Sequence, residues 1–193
     1  MMRHFALIGG LVTVALLVGC SSYHTGKLSS PLQARASIVG TGIKGEAQLY
    51  EEYEGRIRIK LKLEGTSDSK LTPGLHGVHI HETGNCETFS AAKGHFDGNI
   101  DPQVNPEANV SPGLANHPYH LGDLPNLSVN EKRNGSLYTI TSRVTLSPGL
   151  NSLLDKDGSA IIIHELADQY LPDPPTKDAP GGPRIACGVI VKE

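Results

Sequence analysis

Hydrophobic and polar positions alternate without a break from Arg56 to Glu64. Ile57, Ile59, Leu61 and Leu63 fall on one side of an extended chain, and Arg56, Arg58, Lys60 and Lys62 on the other. A period of two with one wet face predicts an antiparallel strand laid over a core. The stretch ASIVGTGIKGEAQLYEE reads as one more strand with glycine interruptions. NGSLYTITSRVTL opens on Asn134-Gly135, a hairpin turn pair, and continues as a strand. GSAIIIHE and RIACGVIVK are apolar, β-branched runs of strand length. Short strands separated by turns, with no convincing helical period, predict an all-β sandwich or barrel.

Two segments break this rhythm. Residues 87–130 and 168–183 are rich in Pro, Gly and Asp and carry little periodicity. Loops of such length in a compact domain are functional or disordered. The first holds His95, His117 and His120, which points to function. The 22 Gly and 13 Pro, with no Trp, agree with many turns. The net charge of -3 and the lack of a basic stripe argue against nucleic acid as a partner.

The first residues read as a leader. MMRH is a short basic start, and FALIGGLVTVALLV is an apolar run too short for a comfortable membrane span. The run ends in LVGC, which resembles the lipobox of bacterial lipoproteins. That resemblance implies a signal peptide over 1–19 and a membrane anchor through lipid on Cys20. It places the mature chain in the cell envelope, on the periplasmic side. Ser21 favours the outer membrane. A plain signal peptide with an incidental cysteine is the alternative. Residues 20–35 are polar and read as a flexible tether, which leaves 36–193 as one domain. With Cys20 set aside, Cys86 and Cys187 remain. In an exported chain they are most simply read as one structural disulfide, and no C-x-x-C suggests a redox pair.

The candidate chemistry is carried by histidine. Apart from His4 and His24, the histidines all lie between His76 and His164. His79 and His81 are two apart, so on a strand they share a face while Ile80 turns to the other. Two imidazoles side by side are a natural pair of metal ligands. His76 is at an odd offset and reads as a supporting histidine. His164 ends the run AIIIH, where a buried strand brings an imidazole to the rim; such a residue alone is more often a hydrogen-bonded core histidine. His95 lies in KGHFDG. His117 and His120 lie in HPYHLGD, with Asp123 three residues after His120. Imidazoles with a carboxylate suit zinc as well as copper.

GLHGVHIHETGNC, GHF, HLGDLPN, IIIHELAD and RIACGVI follow one another in that order. Together they resemble the bacterial copper/zinc superoxide dismutase family, over residues 36–193. The resemblance implies a Greek-key β-sandwich or flattened barrel of about eight antiparallel strands with two long functional loops. It implies an enzyme that dismutates superoxide to oxygen and hydrogen peroxide with copper and zinc. His79, His81 and His164 resemble copper ligands, and His95 the imidazolate that bridges copper and zinc. His120 and Asp123 resemble zinc ligands. Cys86 and Cys187 resemble the family's disulfide. Arg184 resembles the arginine beside copper, and Asp168 the aspartate that links a copper ligand to a zinc ligand.

One feature departs from the family. Its remaining zinc histidine stands well upstream of the HLGD motif, where this chain has none. His117 is the candidate to take over that role, and a surface histidine with a zinc site one ligand short is the alternative. A non-catalytic periplasmic lipoprotein that binds copper or zinc is the competing function; it has no evident need for Arg184. The sequence leaves monomer and homodimer open.

Overall fold

The computed structural model describes residues 31–52, 55–98, 117–171 and 176–193. The expected signal peptide, Cys20 and the tether as far as residue 30 lie outside the described residues. Among the described residues there are nine strands: β1 (Gln33–Gly40), β2 (Ile43–Glu51), β3 (Ile57–Gly65), β4 (Gly74–His76), β5 (Val78–His81), β6 (Leu127–Val129), β7 (Asn134–Thr141), β8 (Ala160–His164) and β9 (Arg184–Lys192). A short 3-10 helix covers Phe89–Ala92. All pairings between these strands are antiparallel, in the single order β4-β6-β7-β3-β2-β1-β9-β8-β5.

The two ends of that order, β4 and β5, are separated in sequence only by Gly77. The sheet therefore rolls until both of its edges fall on one short segment of chain, which makes a nearly closed barrel. The all-β expectation holds. The ninth strand arises because GLHGVHIH is not one strand. At Gly77 the chain leaves β6 and joins β8. Gly77 donates to Leu166 O at 2.8 Å, and its own carbonyl accepts from the His164 amide at 2.9 Å. A Cβ there would sit 2.9 Å from Pro180 O, so the crossover is made by the one residue without a side chain.

Three further expectations are corrected. ASIVGTGIKGEAQLYEE is a hairpin, not one strand. Gly42 takes φ 67 and turns β1 into β2, a conformation that favours glycine. β1 begins at Gln33, inside the stretch expected to be tether, because Ala34, Ala36 and Ile38 alternate into the core between β2 and β9. Asn134 and Gly135 are not a turn but already pair with Glu64 and Leu63. The chain turns before them, closing on Asn130 through the amides of Lys132, Arg133 and Asn134.

The alternation along β3 becomes packing. Ile57, Ile59, Leu61 and Leu63 are buried, and Lys60 and Lys62 are exposed. They join Ile38, Leu49, Ile80, Leu127, Ile161 and Ile163 in the barrel core. Each fully buried side chain of this size contributes roughly 1.5–3 kcal/mol. β8 is apolar on both sides for a reason. Ile161 and Ile163 face the barrel. Ala160 and Ile162 pack outward against Ala92, Phe89, Cys86 and Cys187. The loop after β5 thus lies on the outside of the barrel. A disulfide from Cys86 to Cys187 pins it to β9, with a Cα–Cα distance of 5.8 Å and a sequence separation of 101.

Removing that link tests its weight. Cys86→Ser is expected to lower stability by about 2–5 kcal/mol in urea titration. Reduction of the unmodified protein should give the same loss. A variant as stable as the oxidised protein would show that the packing under the loop suffices without the bond.

Candidate metal centre

β5 supplies the first two imidazoles. Val78 and Ile80 enter the core, so His79 and His81 turn to the other side. Their ring centroids are 6.4 Å apart. His164, at the end of β8, joins them, with its ring centroid 4.8 Å from that of His79. His95 arrives by an isolated bridge to His81 and stacks on His79 at 4.0 Å.

The HLGD turn is held directly on β5. Gly122 O accepts from Ile80 N at 2.9 Å, and Gly122 N donates to Phe96 O at 2.8 Å. A Cβ at Gly122 would lie 2.2 Å from Ile80 O. Only glycine permits so close an approach, which sets His120 and Asp123 beside the β5 histidines. Asp123 Oδ1 contacts His95 Nδ1 at 2.6 Å. Its Oδ2 contacts His120 Nδ1 at 3.2 Å and lies 3.4 Å from His117 Nδ1.

Asp168 ties the two halves together. One oxygen is 2.8 Å from His79 Nε2 and the other 2.8 Å from His117 Nε2. His117 is only 5% exposed, so it is not the surface histidine of the alternative reading. His76 reaches the end of β8. It is buried, and its ring nitrogens lie 2.8 Å from His164 O and 2.8 Å from Thr72 O.

The ring atoms left over are informative. His79 uses Nε2 on Asp168, His81 uses Nδ1 on Lys93 O at 3.0 Å, and His164 uses Nδ1 on Gly182 O at 2.9 Å. In each ring the other nitrogen is buried without a partner: His79 Nδ1, His81 Nε2 and His164 Nε2. Buried polar atoms are seldom left unpaired, because desolvation without a hydrogen bond is costly. Three such atoms on adjoining rings, each ring oriented through its second nitrogen, have the donor chemistry of a metal site. One donor atom each from His79, His81, His95 and His164 lies within 4.8 Å of the others. A second such group is His79, His95, His117 and Asp123. His79 and His95 belong to both, and His120 stands at the edge of the second with its ring on Asp123. The described cysteines are both in the disulfide, so the donors are imidazole and carboxylate, which suit copper and zinc.

Arg184 opens β9 beside this cluster. Nη1 donates to Phe89 O and Nη2 to Lys93 O, each at 2.6 Å. Lys93, at φ 63, therefore shares one carbonyl between the guanidinium and His81. Among the described residues Arg184 makes no ion pair within salt-bridge distance, so its positive charge is held by neutral oxygens.

Sequence reasoning missed some residues. Asn126 accepts from the Asp168 amide at 2.8 Å and donates to its carbonyl at 2.9 Å. It thereby fixes the backbone of the bridging aspartate. Asn126 ends the HLGDLPN motif, so the signal was present but unassigned. The Lys93 carbonyl is a backbone atom and has no signature in sequence.

Burial pushes His81 well below its ordinary value, helped by the neighbouring His95 and Arg184. Burial likewise lowers His95 to about 4 and His164 to about 3. His117 goes the other way. Burial would lower it, but Asp123 and Asp168 raise it to about 9. Burial alone would raise both carboxyls, yet hydrogen bonds hold them far below the usual carboxylate range, from His117, His120 and His95 on Asp123 and from His117, His79 and the Tyr170 amide on Asp168.

The copper/zinc superoxide dismutase family profile matches residues 43–190. A copper/zinc superoxide dismutase, number 2, of Aquifex aeolicus (strain VF5) is 35% identical over 191 residues, covering 95% of this chain and 98% of its own. The copper/zinc superoxide dismutase of Brucella abortus biovar 1 (strain 9-941) is 33% identical over 157 residues, covering 78% and 81%. Among solved structures, a double mutant of a SOD-like protein from Bacillus subtilis superposes with a TM-score of 0.60. Its identity is 34%, and the match covers 80% of this chain and 95% of that one.

The shifts predict the pH response of the metal-free protein. The lowered histidines accept protons more readily once unfolded, so stability falls as pH drops from 6.5 toward about 4 and then 3. The contribution of His117 is fully present below 6.5 and is lost as pH rises to about 9. Urea midpoints should therefore decline on both sides of roughly pH 6.5. His117→Gln should flatten the alkaline limb; an unaltered alkaline limb would contradict the assignment.

Proposed function

The chain belongs to the copper/zinc superoxide dismutase family, and from that membership we propose that it dismutates superoxide in the cell envelope, anchored by lipid on Cys20. The carrying observation is the set of three unpaired buried nitrogens, His79 Nδ1, His81 Nε2 and His164 Nε2, gathered beside His95. In this reading His79, His81, His95 and His164 hold copper, and His95, His117, His120 and Asp123 hold zinc. When bound, copper supplies the one-electron cycling that zinc, with its filled d-shell, cannot.

The chain's own residues do the rest. Superoxide is an anion and the chain carries a net charge of -3, so overall charge opposes encounter. Arg184 counters this with a fixed cation next to the cluster. Its shared carbonyl with His81 keeps it within reach of an anion there. Peroxide leaves as hydrogen peroxide, which requires protons. His95 Nδ1 is engaged by Asp123, so Nε2 is the ring atom that would carry one whenever it is not on a metal. Asp168 and Asp123 hold the rings in place. A storage protein on this fold would have no use for an arginine held free of carboxylates at the site.

The envelope location rests on the apolar leader ending in LVGC, with Ser21 favouring the outer membrane. Several lipid chains hold a protein firmly where one binds only marginally.

Copper and zinc analysis of the purified full-length protein, with a superoxide-consumption assay, tests the activity. Copper bound without consumption of superoxide would refute it. Arg184→Ala is expected to lower kcat/KM by roughly 10-fold or more and to weaken its decline with ionic strength. An unchanged kcat/KM would remove Arg184 from the mechanism. For the anchor, Cys20→Ser should move the protein from the membrane fraction to the soluble one; retention on membranes would contradict lipidation at Cys20.

A further inference from the structure

The turn that carries His120 and Asp123 is gripped from outside by a residue with no part in the reaction as proposed. Arg143 lies just past the end of β7, its amide on Thr141 Oγ1 at 3.2 Å. Its Nη1 donates to His120 O at 3.1 Å, and its Nη2 donates to Asp123 O. One planar guanidinium thus spans the carbonyls of the first and last residues of HLGD. The same turn closes on itself, with His120 N donating to Asp123 Oδ2 at 3.0 Å and Asp123 N to His120 O at 3.2 Å. Gly122, between them, is locked onto β5. The turn is therefore held at its middle by the barrel and at both ends by Arg143.

The geometry points to Arg143 as a positioning residue for the zinc half of the site: it sets the spacing of the His120 and Asp123 backbones, so that both side chains meet one ion. This rests on the zinc reading proposed for His95, His117, His120 and Asp123. Arg143 acts through its fork and not through its charge. A cation so near a divalent ion opposes binding, so if charge governed, its removal would tighten zinc. Arginine presents a rigid planar set of donors that reaches two carbonyls at once, whereas lysine carries a single ammonium on a flexible stem. Lysine would keep the charge and lose the fork. The side chain is half-buried, lies outside the barrel core itself, and lines a surface groove with Pro118, Leu124, Pro125 and Tyr170.

The test measures zinc and copper affinities of the full-length protein by chelator competition, with Arg143→Lys and Arg143→Ala alongside. Copper is measured on zinc-free protein, and metal-free thermal unfolding is followed for each. Both variants are expected to lose roughly 10- to 100-fold in zinc affinity. Copper affinity and metal-free unfolding should stay as in the unmodified protein. Full zinc affinity in Arg143→Lys, or tighter zinc in Arg143→Ala, overturns the fork. Equal losses for both metals with a lowered unfolding temperature overturn it too, by reducing Arg143 to a general prop. An unmodified protein that takes up no zinc overturns the zinc reading, and this inference with it.

Discussion

A single buried carboxylate, Asp168, accepts hydrogen bonds from His79 and His117, rings that come from distant parts of the chain. Most of the site's geometry follows from that sharing. It fixes the face of His79, so that Nδ1 is the atom left unpaired. It holds His117 in the cluster. It also ties the loop after β8 to the strand that carries His79 and His81. Such a contact holds only if the carboxylate is itself fixed, and Asn126 and the Tyr170 amide supply that restraint. Two imidazoles and a backbone amide around one buried carboxylate also explain why it stays ionised despite its burial.

The barrel provides the frame for this contact. Its sheet closes at Gly77, where β4 ends and β5 begins, so the strand bearing His79 and His81 is the closing edge. A closing edge has one side free of a strand neighbour. Here that side receives Gly122 and Phe96, which bring Asp123 and His95 onto it. The disulfide and the packing of Phe89 and Ala92 hold the other loop against β8 and β9. That placement puts the Phe89 and Lys93 carbonyls where Arg184 meets them. Fold and site are thus one construction, in which the metal-binding loops also finish the barrel.

Much of this was legible in the sequence, and the rest was not for identifiable reasons. The RIRIKLKLE alternation stated both a strand and its inward face. The i, i+2 spacing placed His79 and His81 on one side. The sequence motifs pointed to His164, His95, His120, Asp123, Asp168 and Arg184, all of which the structure gathers at one place. Strand boundaries were harder. The glycines at 42 and 77 mark a hairpin and a crossover, and a glycine within an apolar run looks the same for both. Asn134-Gly135 carried turn chemistry but sits in a ladder, because pairing with β3 outweighs local preference. His117 could not be placed by spacing alone, since its position is decided by a partner, Asp168, far along the chain. Contacts made through backbone carbonyls, such as those of Lys93 to His81 and Arg184, leave no trace in residue identity.

The coupling of the two halves through Asp168 is the claim on which this picture stands, and Asp168→Asn addresses it directly. The measurement is the copper(II) electron paramagnetic resonance spectrum of the full-length variant, recorded as zinc is titrated in. Asp168 belongs to neither set of proposed ligands, yet the account predicts an altered copper spectrum and weakened zinc uptake in the same variant. A copper spectrum and a zinc titration that both match those of the unmodified protein would contradict it.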